Sequence, residues 1–77
     1  MTAPLPCPIC GGTEFGVEFE EIERGGRTVT CARLICEMCD EDTDTQGPLA
    51  ESLLNNDVDA EEQATIAWNE WVLNQRK

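Results

Sequence analysis

The chain has 77 residues, 16 of them acidic and five basic, for a net charge of −11. That length supports one small domain, whose thin core ordinarily needs a metal, disulfides or a partner to hold it. The charge argues against phosphate-backbone binding and anionic membranes, no apolar run reaches the ~20 residues that span a bilayer, and the lack of histidine removes Ser-His-Asp and Cys-His catalysis.

The first element is a tight turn, Cys7-Pro8-Ile9-Cys10-Gly11-Gly12. No basic stretch followed by an apolar run precedes it, so no signal peptide is expected. A cytoplasmic chain with reduced thiols follows, and in that setting paired CxxC motifs point to metal or redox chemistry. From Thr13 to Cys36 the pattern is that of a hairpin. Phe15, Val17 and Phe19 alternate with polar residues, which predicts a strand with one buried face. Arg24-Gly25-Gly26-Arg27 supplies the turn. Thr28-Val29-Thr30-Cys31 resumes a β-branched strand that continues to Cys36.

Cys36-x2-Cys39 is the second knuckle. Two residues between cysteines let both sulfurs meet one ion, and two such turns supply the tetrahedral four-sulfur set of a structural Zn²⁺ site. Cys7, Cys10, Cys36 and Cys39 are therefore assigned as ligands of one zinc that serves folding. Iron in a rubredoxin-like site fits less well, because proline is missing after Cys36 and glycine after Cys39. Cys31 is left over and reads as a small buried hydrophobe.

Residues 40–57 open as an acidic loop. Asp40, Asp42, Asp44 and Glu51 imitate calcium-loop spacing, but Thr45 stands where that loop wants glycine. A Mg²⁺ nuclease built on Asp40–Asp44 has no evident base or nucleophile beside it. Leu49–Leu54 is predicted as a short helix after the Gly47-Pro48 breaker. The last element is a helix over 58–76. Asp59 and Glu62 read as a capping-box-like start, and Arg76 and Lys77 suit the opposite end of the dipole. Ala60, Ala64, Ala67, Trp68, Trp71 and Val72 share one face, which is expected to lie on the hairpin and bury both tryptophans. Ile66 and Leu73 fall on another face, to be covered by Leu49, Leu53 and Leu54 or left for a partner.

The predicted fold is thus a small metal-bound α+β domain spanning 1–77. A zinc ribbon over 5–39, with a β-hairpin or three-stranded antiparallel sheet and two CxxC knuckles, is followed by a C-terminal amphipathic helix. Cys7-Pro8-Ile9-Cys10-Gly11-Gly12, Val29-Thr30-Cys31, Cys36-x2-Cys39 and Ala64-x2-Ala67-Trp68-Asn69 together cover about half the chain. In these motifs the chain resembles the Lar-like restriction alleviation family, small zinc-ribbon proteins of phages and prophages. Asp40 stands where that family usually has a glycine. The resemblance implies a non-enzymatic accessory protein, acting in the cytoplasm of a bacterial host, that blunts restriction by binding a host restriction–modification enzyme. It also implies that Trp68 is a core anchor, and Asn69 is read as a hydrogen-bonding link between helix and ribbon.

The acids at Asp40, Glu41, Asp42 and Asp44, with Ile66 and Leu73, are the candidate contacts for a restriction–modification or DNA-binding protein. Spread acids can also imitate the phosphates of DNA in a partner's basic groove. The alternative is a zinc-ribbon adaptor that meets nucleic acid or a polymerase through Arg24 and Arg27 at the hairpin tip. Glu20, Glu21 and Glu23 beside those arginines favour local ion pairs instead, so direct nucleic-acid binding is not expected.

Overall fold

The computed structural model describes residues 3–38 and 45–75. Strands β1 (Phe15–Arg24), β2 (Arg27–Cys36) and β3 (Ala50–Glu51) form an antiparallel sheet in the order β1-β2-β3, and helix α1 (Asp57–Gln75) packs on it. The α+β class and the three-stranded sheet agree with the sequence-based expectation.

The hairpin turns where the two adjacent glycines fall. Gly25 and Gly26 have φ of +55° and +81°, which side chains with a Cβ resist. Two successive positive φ values suit the right-handed twist of the flanking strands. Arg24 then faces Arg27, and the pairing runs unbroken to Phe15 opposite Cys36. Pleating sends Phe15, Val17 and Phe19 to the same side as Ala32, Leu34 and Cys36.

That side carries the core. Ala32, Leu34 and Cys36 meet Ala60, Ala64, Trp68 and Val72 of α1, all nearly or fully buried. Trp68 is the largest fully buried side chain, and Phe15 meets its ring edge-on at 5.2 Å. Trp71 is only partly buried at the margin, against the expectation that both tryptophans are enclosed. Phe19 is another departure, at 47% exposed. Helix α1 lies chiefly over β2 and reaches β1 little, so alternation along β1 continues past the point where anything covers it.

The predicted helix at Leu49–Leu54 does not form. After the Ile35–Gln46 bridge the chain runs antiparallel along β2 and becomes β3. Side chains then replace the ladder: Asn55, at φ +53°, accepts from the Thr30 N–H at 2.8 Å and donates to the Thr28 carbonyl at 3.2 Å. Gly47 is needed for close approach as well as for breaking a helix. A Cβ there would lie 2.7 Å from the Trp68 ring and 3.2 Å from the Leu34 carbonyl.

The start of α1 also differs from expectation. Asn56 is the cap, accepting from the Asp59 N–H at 2.7 Å, and the first helical turn closes from Ala60 to the Asn56 carbonyl. Asp59 instead gathers the preceding loop, accepting from the Ser52 hydroxyl at 2.9 Å and the Leu53 N–H at 2.6 Å. The Ser52 bond, joined by those from Leu54 and Leu53, outweighs desolvation and holds the Asp59 carboxyl below its usual range. A lowered folded-state pKa stabilises above the unfolded value of 3.8 and is lost as pH falls through the folded one. Urea midpoints should therefore be higher for the wild type than for Asp59→Asn at pH 6, with the gap closing below pH 3.8. A gap that is constant from pH 6 to pH 3 would contradict this role. Arg76 and Lys77, assigned to the helix end, lie outside the described residues.

Candidate metal centre

The first knuckle forms ahead of β1, and Cys36 ends β2. The turn is closed by the Cys7 N–H to the Gly12 carbonyl at 2.9 Å and the Gly11 N–H to the Cys7 carbonyl at 2.8 Å. On the other side the Cys36 N–H donates to the Thr45 carbonyl and the Glu37 N–H to the Glu14 carbonyl. These bonds seat the end of β2 between the knuckle and the returning chain.

The sulfurs of Cys7, Cys10 and Cys36 come together, all within 4.8 Å of one another. Cys10 and Cys36 are 3.5 Å apart at Sγ. A tetrahedral thiolate site with metal–sulfur bonds of about 2.3 Å spaces its sulfurs about 3.8 Å apart, so this cluster fits a metal ion with small adjustments. Cys7 and Cys36 are buried and Cys10 is exposed. The Gly12 N–H donates to Cys10 Sγ at 3.3 Å. Cys39, the fourth predicted ligand, lies outside the described residues, as do Asp40, Glu41, Asp42 and Asp44.

A second set of contacts ties α1 to the segment entering the knuckle. Trp68 Nε1 donates to the Leu5 carbonyl at 2.9 Å, and the Leu5 N–H donates to Asn69 Oδ1 at 2.7 Å. Asn69 Nδ2 donates to the Ala3 carbonyl at 3.0 Å. Adjacent residues of α1 thus hold the backbone just before Cys7. The Ala67-Trp68-Asn69 motif signals this link from the helix to the segment before the first knuckle, but its receiving atoms are backbone, and no side-chain pattern in residues 3–5 announces them.

Cys31 is fully buried but sits apart from the sulfur cluster. Pleating places it on the sheet face away from α1, between Glu20 of β1 and Glu51 of β3. Burial first, then those two carboxylates, pushes its thiol pKa up. Its burial agrees with the reading of Cys31 as a small buried hydrophobe.

Two of the arginines are engaged by acids. Arg24 Nε meets Glu51 at 2.9 Å, a pair that must pass over β2 because its partners lie on the two outer strands. Arg33 meets Glu20 at 2.7 Å. The local acids expected to serve Arg24 were Glu20, Glu21 and Glu23, whereas its partner is Glu51, brought close by β3. Ile66 and Leu73 are 37% and 52% exposed, and Leu49, Leu53 and Leu54, expected to cover them, are themselves 39%, 79% and 71% exposed.

Among the described residues no helix is long and apolar enough to cross a membrane. No family model, curated protein or solved structure matches the chain.

Proposed function

We propose that the chain is a zinc-stapled accessory protein that binds and modulates a host restriction–modification or other DNA-processing enzyme. The carrying observation is the distribution of charge. Glu18, Glu21 and Glu23 of β1 are exposed with no ion partner among the described residues, and Glu61 and Glu62 of α1 are partly exposed. Two of the five basic residues, Arg24 and Arg33, are meanwhile neutralised. That balance supports a basic protein partner over a phosphate backbone. It also weakens the adaptor reading through Arg24 and Arg27.

Zinc is the metal of this proposal, held by Cys7, Cys10 and Cys36 with Cys39 as fourth ligand. The described Met38 lies against Gly12 of the first knuckle, and Cys39 is its neighbour in the chain. A closed four-thiolate zinc serves the fold and leaves no position for substrate. The motif resemblance to the Lar-like family supplies the restriction enzyme as target.

Plating of an unmodified phage on a restricting host tests the reading. Expression of the wild type should raise plating, and the zinc-free Cys36→Ser variant should not. Unchanged plating against several restriction types would overturn it. Binding to the purified target should weaken as salt rises from 50 to 500 mM, because exposed charges are screened within about 10 Å at 0.1 M. Salt-independent binding would shift the contact to the apolar Ile66 and Leu73.

A further inference from the structure

Strand β1 is an outer strand of the sheet over ten residues, paired on one side alone among the described residues. Its register shows which groups are left. Arg24 and Arg27 close a two-residue turn, so the even-numbered residues of β1 direct their backbone groups at β2. In agreement, even-numbered residues of β2 serve the opposite edge: the Thr30 carbonyl accepts from Ser52 and the Leu34 carbonyl from Gly47. The backbone groups of Val17, Phe19, Glu21 and Glu23 consequently point outward, with no strand beside them among the described residues.

Beside that edge, between β1 and α1, lies a groove of about 280 Å³. Phe15, Val17 and Leu34 give it an apolar wall, and α1 contributes Glu61, Glu62 and Thr65. Phe19, half-exposed, continues the apolar side along β1. A strand laid on β1 would send alternate side chains towards this groove. Apolar wall and carboxylate wall together suit lysine or arginine, whose aliphatic stem packs while its charged head reaches the acids.

We infer that the open edge of β1 and the β1–α1 groove form a docking site for an extended basic segment of a partner protein, added to the sheet as a fourth strand. This rests on the protein-binding reading above and names the surface and the partner's chemistry. Main-chain bonds supply affinity, and the acidic groove selects alternate lysine or arginine side chains. Charge also decides against a second copy of this chain. Antiparallel pairing of two β1 edges would bring Glu18, Glu20, Glu21 and Glu23 of each copy together, and like charges opposed on strands repel.

The test uses the zinc-loaded full chain and a fluorescein-labelled peptide of alternating lysine and valine. Its counterpart with glutamate for lysine serves as the charge control. A third peptide carries backbone N-methyl groups on alternate residues, which keeps the charge and removes one edge's donors. The lysine peptide should bind at low salt, and the glutamate peptide should not. Hydrogen exchange at the Val17, Phe19, Glu21 and Glu23 amides should slow on binding, while the Glu18, Glu20 and Ile22 amides are already protected. N-methylation, and separately the Glu61→Gln/Glu62→Gln pair, should each weaken binding about tenfold. Equal binding by the N-methylated peptide, with no slowing at the odd-numbered amides, would overturn strand addition and leave the acidic-surface reading standing. No binding of the lysine peptide at low salt would overturn both. Self-association of the chain through the same amides would assign the edge to a second copy and overturn the basic-segment proposal.

Discussion

Excess chelator, or the Cys36→Ser substitution, is expected to unfold the domain. The magnitudes decide this. A chain of 77 residues has a net stability of about 4–12 kcal/mol. Structural zinc contributes apparent binding free energies of about 10–16 kcal/mol at pH 7, comparable to or larger than the whole margin. The described core offers little in reserve, since beyond Trp68 its fully buried side chains are small: Ala32, Ala60, Ala64, Val72 and cysteines. Cys36 does two things, ending β2 inside that core and bringing its sulfur to Cys7 and Cys10. Cys31→Ser separates them, because Cys31 is equally buried and lies outside the sulfur cluster. A hydroxyl there should cost about 1–3 kcal/mol and leave metal binding intact. Circular dichroism with metal analysis should show Cys36→Ser unfolded and metal-free, and Cys31→Ser folded and metalled. A cooperatively folded, metal-free Cys36→Ser would contradict the account.

Trp68→Ala should be the most damaging change away from the cysteines, at about 3–5 kcal/mol from lost packing. Trp68 is fully buried, meets Phe15 edge-on, and has the Trp71 ring tilted against it with centroids 5.2 Å apart. It fills the space that Gly47 leaves by lacking a Cβ. Truncation would also leave the Leu5 carbonyl without the Nε1 donor, loosening the segment that leads to Cys7. The loss is then a quarter or more of the ~4–12 kcal/mol margin, and metal affinity should fall with it. Trp68→Phe should cost less, since a six-membered ring remains and only part of the indole volume is lost with the Leu5 hydrogen bond. Urea unfolding of the metalled proteins measures both. Equal destabilisation by the two variants would show that the Leu5 bond, and not the volume, is what Trp68 supplies.

Where chain-local chemistry dictates structure, the sequence was legible. Adjacent glycines announced the hairpin turn, alanine and tryptophan spacing the helix face, and CxxC spacing the cluster of Cys7, Cys10 and Cys36. The unread parts depend on non-local partners. Strand β3 has two residues, and its bonds are shared with the side chain of Asn55 and the backbone of Ser52, so no strand period exists to be seen. Asp59 resembled a cap because an acid near a helix start suits the dipole, yet Asn56 caps and Asp59 holds the loop. The alternation through Phe19 predicted burial correctly only as far as α1 extends across the sheet. That reach follows from where Trp68 docks, and the shortfall is what leaves Phe19 half-exposed on β1.

Native mass spectrometry of the chain purified without added metal tests the central claim most directly. One zinc per wild-type chain is predicted, with none on Cys36→Ser and a single zinc retained on Cys31→Ser. A folded wild-type chain carrying no metal, or holding iron in zinc's place, would contradict it.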